Sequence, residues 1–389
     1  MRKPIVLLLC TCMVLSLWTP ARTVEAETSL NISAPSAVLM EPSTGQVLYE
    51  SNSHEALRPA SVTKVMTILL AYEAVRDGKA SMEDMVTVSE NAAGYGGSTI
   101  LLEAGESIAL SNLIKGMCVA SGNDAAIATA EYIGGSQDGF VEMMNARAKE
   151  LGMNDTHFVN PCGLDADGHV TSAYDIALMS RELINNFPEV FEYTTIWHEM
   201  MPHQWKKGAG ETDMVNTNKL IQSYEGMNGL KTGFTRLAKY SISATAKRGD
   251  LQLIAVVMGA ETKDQRSADV CTLLDYGFGG YGFFKVETDG NEAGTVPIRG
   301  GDADEVVALV QGNVQMLTEK SNPISAESLT KEVQLKDGIE APVKAGDALG
   351  EIVYSLDGKE VARLPLVAAA DVQKMDFTRI LQKLLAKWM

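Results

Sequence analysis

Cysteine is scarce in this sequence, and its few copies form no pattern. Of the 5 cysteines among 389 residues, two lie in an uncharged N-terminal run, and Cys118, Cys162 and Cys271 are scattered along the rest of the chain. Three is an odd number and no CxxC pair occurs, so the sequence excludes a disulfide framework and a zinc ribbon. Cys118 and Cys271 have apolar helical surroundings, which predict that both are core residues.

Positive charge is also in short supply. The chain carries 33 Lys and Arg against 50 Asp and Glu, which gives a formal net charge of −17. Nucleic acid binding needs a basic face for the phosphates, so this composition argues against a nucleic acid partner. The apolar content of 46% and the charged content of 21% are those of an ordinary globular protein. The length suggests two domains, or three.

The N-terminal apolar run is too short to span a membrane comfortably. Arg2 and Lys3 precede an uncharged run from Ile5 to Trp18, and Val24-Glu25-Ala26 then offers small residues where a signal peptidase reads. This pattern is typical of a cleaved secretory signal peptide, which we predict over residues 1–26. A retained N-terminal anchor is the alternative. Cleavage would change the formal charge from −17 to −19, because it removes three cations and one anion.

The motifs of several common hydrolases and metal sites are missing. No G-x-S-x-G occurs, which argues against an α/β-hydrolase. His198 and His203 are one residue too far apart for the metalloprotease helix motif, and Pro202 would break that helix. Asp165 to Gly168 resembles the start of a calcium loop, but Ile176 stands where the bidentate Glu should be. The sequence therefore predicts neither a metal nor an organic cofactor.

Residues 59–70 contain a candidate nucleophile and its base. Pro59 suits a first helical turn, and an apolar face follows at helical spacing: Val65, Ile68, Leu69 and Tyr72. On such a helix Ser61 and Lys64 lie on one face, three residues apart and within reach of each other. A serine hydroxyl is a poor nucleophile until a neighbour takes its proton, and a desolvated lysine near a second cation can do so.

Two further short motifs follow this pair in order. Ser121-Gly122-Asn123 begins sixty residues after Ser61, and Lys231-Thr232-Gly233 begins 110 residues after that. Ser-x-x-Lys, Ser-x-Asn and Lys-Thr-Gly in this order form the motif set of the penicillin-binding proteins and serine β-lactamases. Nearly the whole chain after residue 26 resembles the D-alanyl-D-alanine carboxypeptidase branch, most clearly in three runs: Ser121 to Ala125, Glu150 to Gly168 and Gly229 to Thr235.

The resemblance implies roles for five polar residues. Ser61 would be the acylated nucleophile and Lys64 its general base. Ser121 would relay a proton to the leaving D-alanine, with Lys231 helping to set the electrostatics of that relay. Asn123 would orient Lys64 and hydrogen-bond the peptide.

The resemblance also implies how the end of the substrate is bound. The backbone N–H groups of Ser61 and Phe234 would form the oxyanion hole. Thr232 would contact the substrate carboxylate, and Gly233 and Phe234 beside it would also be substrate-binding residues. Arg266 would attract the same carboxylate, since a guanidinium can bind it through two hydrogen bonds. For Arg266 the alternative is an ordinary surface residue on a helix.

The pattern of apolar residues predicts an α+β fold. Residues 37–50 indicate a β-hairpin, and residues 240–246 and 251–258 indicate a second hairpin with enough apolar content for the centre of a sheet. Helices lie between the two hairpins, and a helix over 263–276 would cover the sheet. We therefore expect one antiparallel sheet assembled from strands at both ends, as in the penicillin-binding and β-lactamase fold. Residues 190–225 are irregular and receive no assignment.

The rest of the chain predicts two further segments. A glycine-rich run at 277–282 indicates a hinge, and the short strands and turns beyond it indicate a small all-β domain. We predict a catalytic domain over 27–281, a β-domain over 282–373 and an amphipathic helix over 374–389. An apolar stripe and a basic face suit that helix to the membrane surface, with docking on the β-domain as the alternative.

These features predict a serine D,D-carboxypeptidase that is secreted and lies on the outer face of the cytoplasmic membrane, at the cell wall. It would remove the terminal D-alanine from peptidoglycan stem peptides and be blocked covalently by β-lactam antibiotics. The rivals are a serine β-lactamase, a transpeptidase and a catalytically silent peptidoglycan-binding scaffold. Glu150 and Asn154 match the Glu-x-x-x-Asn of fast β-lactamases, but they lie where a predicted helix ends.

Overall fold

The structure, a computed structural model, describes residues 30–378. The predicted signal peptide and residues 379–389 of the predicted C-terminal helix lie outside the described residues. The helices are α1 (Lys64–Arg76), α2 (Glu90–Ala93), α3 (Leu110–Val119), α4 (Asn123–Gly134), α5 (Gln137–Glu150), α6 (Ala173–Asn186), α7 (Val190–Thr194), α8 (Leu220–Ser223) and α9 (Lys263–Gly280).

Strands occupy both ends of the described chain. The first nine are β1 (Ser36–Met40), β2 (Val47–Ser51), β3 (Met85–Thr87), β4 (Ser107–Ala109), β5 (His198–Trp205), β6 (Gly208–Val215), β7 (Met227–Thr235), β8 (Lys239–Arg248) and β9 (Leu251–Ala260). The later ones are β10 (Tyr281–Val286), β11 (Glu292–Arg299), β12 (Glu305–Val310), β13 (Val314–Glu319), β14 (Leu329–Leu335), β15 (Ile339–Glu340), β16 (Ala348–Leu356) and β17 (Lys359–Ala368).

The N-terminal region is built on a five-stranded antiparallel sheet in the order β2-β1-β9-β8-β7. β1 pairs with β9, with Val38 opposite Val256, so the sheet joins distant parts of the chain as the sequence predicts. β8 and β9 lie inside the sheet, which confirms the prediction for that hairpin. β7 carries the third motif and is an edge strand, which leaves one side of its backbone free of strand partners in this sheet.

Helix α1 is buried on every side. All residues from Lys64 to Ala74 are buried, because α3, α4, α5 and α6 surround the helix and β7 lies against it. The predicted apolar face is confirmed, but the opposite face is buried too. A helix that is buried on every side belongs to the core, whereas an amphipathic helix lies at the surface.

The glycine-rich run at residues 277–282, predicted to be a hinge, forms no separate linker, because α9 continues to Gly280 and β10 follows directly. Gly277 faces the sheet, where a Cβ would lie 2.6 Å from Leu253 Cδ1 and 2.9 Å from Leu39 Cδ2. Glycine at this position therefore lets the helix pack closely on β9 and β1.

The unassigned residues 190–225 contain α7, α8 and the hairpin of β5 and β6. Pro202 lies in β5, so the two histidines flanking it share no helix, as the sequence predicts. The imidazole of His203 is buried and lies 2.8 Å from a carboxylate oxygen of Glu106. This contact attaches the hairpin to the segment before β4.

The C-terminal region has its own sheet and core, which confirms an all-β character. Six strands lie in the order β14-β16-β17-β12-β11-β15, and β10 pairs separately with β13. The buried side chains of this core come from five of the strands and the loops beside them, and include Val296, Val306, Val310, Ile352 and Leu366. The sequence did not predict β10, β11, β13 and β15.

The described part of the chain has no helix long and apolar enough to cross a membrane. Lys374 forms an isolated bridge with Gly301, and helical residues begin at Phe377. All three cysteines of residues 30–378 are unpaired; Cys118 and Cys162 are buried, while Cys271 is half-buried, so the core prediction holds fully only for Cys118.

Candidate active site

Ser61 lies in a tight 3₁₀ turn, Ala60–Thr63, that leads directly into α1. Ala60 has φ +48, a left-handed conformation that is uncommon for a residue with a side chain. Two glycines allow other segments to approach this turn. A Cβ on Gly163 would collide with the carbonyl oxygen of Ala60, and one on Gly233 would lie 2.9 Å from the carbonyl oxygen of Pro59.

The amine of Lys64 is the centre of the site. Its Nζ lies 3.0 Å from Ser61 Oγ, 2.6 Å from Asn123 Oδ1 and 2.7 Å from the carbonyl oxygen of Cys162. The residue is completely buried. This burial lowers the pKa of Lys64 to about 8, against the smaller opposing influences of Cys162 and Asp124.

Asn123 is held rigidly at the start of α4. Its side-chain Nδ2 donates to the carbonyl oxygen of Gly96 (2.7 Å), and its backbone N–H donates to that of Ser98 (2.7 Å). The next residue, Asp124, accepts hydrogen bonds from the N–H groups of Ile100 (3.0 Å) and Leu102 (3.1 Å). Because Nδ2 already has an acceptor, the Oδ1 atom of Asn123 must face Lys64.

Ser121 lies between the end of α3 and the start of α4 and has φ +64. The residue is buried, yet its hydroxyl makes no hydrogen bond with any part of the chain between residues 30 and 378. A hydroxyl without such a partner remains available to a bound molecule.

The third motif lies on β7, which the sequence did not predict as a strand. Lys231 is almost fully buried and donates to the carbonyl oxygen of Thr232 (2.9 Å). Burial, and then the positive charges of Lys64 and Arg266, lower the pKa of Lys231 well below its usual value. The hydroxyl of Thr232 lies 2.7 Å from that of Thr217.

Arg266 belongs to the first turns of α9 and is buried rather than on the surface. Its Nε makes no hydrogen bond within the described residues. Burial lowers the pKa of Arg266 to about 10. A buried guanidinium edge without a partner fits a carboxylate that is supplied from outside.

Phe234 follows the third motif and is 54% exposed. Its ring lies against that of Tyr240, with 4.4 Å between the centroids. Gly233 packs beside Ala60 and Val62, so the end of β7 approaches the turn that carries Ser61. The backbone of Phe234, one residue further along β7, therefore lies near the candidate nucleophile.

Two groups that contribute to this site were not predicted from the sequence. The carbonyl of Cys162 is a main-chain acceptor, which residue types do not show, and Thr217 is an isolated polar residue in the unassigned stretch. The Glu150 carboxylate lies at the end of α5, where it pairs with Arg147 at 3.2 Å and is largely exposed to solvent. No group of three His, Cys, Asp or Glu within residues 30–378 is arranged to hold a metal ion.

Two family models match the chain. One, described as D-alanyl-D-alanine carboxypeptidase, matches residues 22–262, and the other, described as penicillin-binding protein 5, C-terminal domain, matches residues 281–374. Among curated relatives, the D-alanyl-D-alanine carboxypeptidase DacF of Bacillus subtilis is 41% identical. The match covers 91% of this chain and 90% of the DacF chain. DacC of Escherichia coli is 35% identical and covers 92% of this chain and 88% of its own.

Solved structures agree with this assignment. PBP3 of Streptococcus pneumoniae, a peptidoglycan synthesis regulatory factor, matches with a TM-score of 0.74 at 27% identity, over 88% of this chain and 100% of its own. Penicillin-binding protein D2 of Listeria monocytogenes, in its ampicillin-bound form, matches with a TM-score of 0.53 at 33% identity, over 64% of this chain and 99% of its own. The chain therefore belongs to the D-alanyl-D-alanine carboxypeptidase family, a family of serine hydrolases.

Proposed function

We propose that this carboxypeptidase cleaves the terminal D-alanine from peptidoglycan stem peptides through an acyl-enzyme on Ser61. One observation carries the proposal. Asn123 Oδ1 and the Cys162 carbonyl can only accept, so they occupy both N–H donors of a neutral Lys64 amine. The amine lone pair then points at Ser61 Oγ, which lies 3.0 Å away and donates its proton in that state.

Acylation begins when Lys64 takes the Ser61 proton. The Ser61 oxygen then attacks the carbonyl carbon of the penultimate D-alanine, and the negative charge that develops on the carbonyl oxygen needs preorganised donors. We assign these donors to the backbone N–H groups of Ser61 and Phe234. The close packing of Gly233 on the Ser61 turn supports the assignment, because it brings both backbones to one place.

The leaving D-alanine needs a proton on its nitrogen before the peptide bond breaks. We assign its delivery to the Ser121 hydroxyl, which has no partner of its own in the described chain. Lys231 acts on this relay through its charge state, since burial and the positive charges of Lys64 and Arg266 lower the pKa of Lys231 well below its usual value. Water then attacks the acyl-enzyme and releases the shortened peptide, with Lys64 again as the base.

The free carboxylate of the substrate requires its own partners. We assign it to the hydroxyl of Thr232 and to the guanidinium of Arg266, whose Nε is buried and unpaired in the described residues. Binding this group favours peptides that end one residue after the scissile bond, and it is also the position in which the carboxylate of a β-lactam would lie.

We also propose how the parts of the chain bring the enzyme to the peptidoglycan at the cell envelope. Residues 1–26 would direct export, residues 27–281 and 282–373 would form the catalytic and β-domains, and residues 374–389 would bind the membrane surface. The separate apolar cores of the two regions support the domain division. The charge and apolar pattern of the last segment supports the membrane contact.

The decisive experiment is the intact mass of residues 27–389 after incubation with benzylpenicillin, beside the Ser61→Ala variant. We expect a persistent adduct on the wild type alone. A transient adduct with fast drug hydrolysis would instead identify a β-lactamase. The absence of an adduct on both proteins would contradict the enzymatic role of Ser61 and would favour a catalytically silent peptidoglycan-binding scaffold. Transfer of the acyl group to an added amine in place of water would identify a transpeptidase.

A further inference from the structure

A hydrogen bond joins two segments beside the site that are far apart in sequence. Thr235, at the end of β7, donates from Oγ1 to Asp165 Oδ1 across 2.9 Å. The N–H of Ala238 donates to the same hydroxyl across 2.9 Å, which leaves the hydroxyl proton for Asp165. We call the Asp165–Thr235 pair the clasp.

Each partner of the clasp lies close in sequence to a group that the proposed mechanism uses. Thr235 directly follows Phe234, whose backbone N–H we assign to the oxyanion hole. Asp165 lies three residues after Cys162, whose carbonyl accepts a hydrogen bond from Lys64. The clasp therefore connects the oxyanion side of the site with the side that holds the general base.

A third segment reaches the same place. Arg58, three residues before Ser61, has its guanidinium 3.9 Å from the Asp165 carboxylate and donates to the carbonyl oxygen of Ala166 across 3.1 Å. The Arg58–Asp165 pair is longer than a hydrogen bond and partly exposed, so its charge attraction is weak. The Thr235 hydroxyl is the stronger of the two partners of Asp165.

The loop at residues 160–168 is attached firmly on its other side. Thr67 Oγ1 donates to the carbonyl oxygen of Pro161 across 2.6 Å, and Asn160 Oδ1 accepts from the N–H of Gly163 across 2.7 Å. These bonds hold the loop to α1 and to itself. Among residues 30–378, the clasp is the one hydrogen bond between this loop and β7.

We propose that Asp165 and Thr235 are positioning residues that keep the Cys162 carbonyl and the Phe234 N–H in register with Ser61. The inference rests on the function proposed above. Without the clasp, β7 and the loop would keep all their catalytic groups but would hold them at less defined distances. Because acylation needs base, nucleophile and oxyanion donors together, the loss falls on the acylation step more than on binding.

The test uses residues 27–389 in five variants: Thr235→Val, Thr235→Ser, Asp165→Ala, Asp165→Asn, and the double variant Thr235→Val with Asp165→Ala. Saturation kinetics with benzylpenicillin separate the first-order acylation constant from the half-saturating concentration. We expect Thr235→Val and Asp165→Ala to lower the acylation constant about 10- to 100-fold and to leave half-saturation within about two-fold.

The conservative variants and the double variant distinguish the clasp from general damage. Thr235→Ser keeps the hydroxyl and Asp165→Asn keeps an acceptor, so both should acylate within about three-fold of the wild type. The double variant should be no slower than the slower single variant, because either substitution alone already removes the hydrogen bond that the two residues share. Melting temperatures check that all variants are folded.

Three results would overturn the inference. The first is an acylation constant that falls as much in Thr235→Ser as in Thr235→Val. The second is a double variant in which the fold-losses of the two single variants multiply. The third is a wild-type acylation constant in every variant. A wild type that benzylpenicillin does not acylate would overturn the proposed function, and the clasp with it. Normal acylation of the wild type with equal rates in every variant would overturn the clasp alone.

Discussion

The Lys64 side chain combines burial with a full set of hydrogen bonds, and this combination determines when it can act. Burial disfavours its charged form, and the two short bonds to Asn123 and Cys162 hold the amine whether it is charged or neutral. An exposed lysine would be protonated at neutral pH almost completely. With a pKa of about 8, a useful fraction is neutral near physiological pH.

The pH dependence of acylation follows from this value. The neutral amine is the base, so acylation should be slow where Lys64 is protonated and rise about ten-fold per pH unit below about 8. Above that pH the rate should level off. Stopped-flow acylation by benzylpenicillin between pH 6 and 9.5 measures the profile, and a rate independent of pH below 8 would contradict Lys64 as the base.

Arg266 offers a second prediction at the scale of one residue. Arg266→Gln should raise KM about 10- to 100-fold for a peptide ending in a free carboxylate, since a hydrogen bond to a charged group contributes about 1.5–3 kcal/mol. Arg266→Lys should recover only part of the loss, because an ammonium does not form the bidentate contact. A C-terminally amidated peptide is the control.

The amidated peptide should bind equally poorly to the wild type and to both Arg266 variants. If Arg266→Gln weakened free-acid and amidated peptides to the same extent, the carboxylate assignment would be wrong.

At the scale of elements, the sequence predicted the helices and the apolar hairpin well and the polar strands badly. α3, α4 and α6 have apolar residues at helical spacing, and the Ser172 side chain caps α6 by accepting from the N–H of Asp175. β7 is buried over most of its length although it contains Lys231 and Thr232. Its burial comes from the Ser61 turn lying across it, a tertiary contact that periodicity does not record.

The side chains of the site could be predicted from the sequence, whereas its backbone contacts could not. Side chains such as Ser61, Lys64 and Asn123 carry their chemistry in the residue type and in the order of the motifs. The carbonyl of Cys162 and the contacts of Gly163 depend on where the backbone passes, which only the fold determines.

Gly163 and Gly168 form a matched pair for testing the approach of the 160–168 loop to the nucleophile. Both have positive φ, +87 and +80, so alanine should cost about 1–2 kcal/mol of backbone strain at either position. A Cβ on Gly163 would also collide with Ala60, whereas the nearest atom to one on Gly168 is His157 Nδ1 at 3.9 Å. Gly163→Ala should therefore lose stability beyond that strain, and most of its acylation rate.

Gly168→Ala should keep the acylation rate near that of the wild type. Chemical denaturation and benzylpenicillin labelling of both variants measure the two effects. Equal losses in the two variants would show that strain alone matters, and that the loop does not need to touch Ala60.

A second glycine pair tests the packing of α9. Alanine usually stabilises a helix relative to glycine, by about 0.5–1 kcal/mol. Gly279→Ala should follow this rule, because nothing lies within 4 Å of its Cβ position. Gly277→Ala should instead destabilise the protein, since its Cβ would press on Leu253 and Leu39. Opposite signs in denaturant unfolding are expected, and a stabilising Gly277→Ala would show that the contact of α9 with Leu253 and Leu39 does not require glycine.

At the scale of the whole molecule, the acidic catalytic and β-regions precede a predicted basic segment at the C-terminus. If residues 374–389 bind the membrane surface, residues 27–389 should sediment with vesicles that contain anionic lipid, and less so at high salt. Residues 27–376 should stay in the supernatant. Both should be acylated equally by benzylpenicillin, which serves as the control for folding.

Two outcomes would contradict the membrane contact. Sedimentation of both chains would place the binding surface elsewhere, and sedimentation of neither would favour docking of the segment on the β-domain.

The pairing of β1 with β9 also has a consequence for biogenesis. Val38 lies opposite Val256, so the first strand of the sheet must wait for a partner more than two hundred residues later. At a synthesis rate of about 5–20 residues per second, that delay is roughly 10–45 s. During this interval the apolar β1 has only β2 beside it, and an unpaired strand edge invites association with other chains.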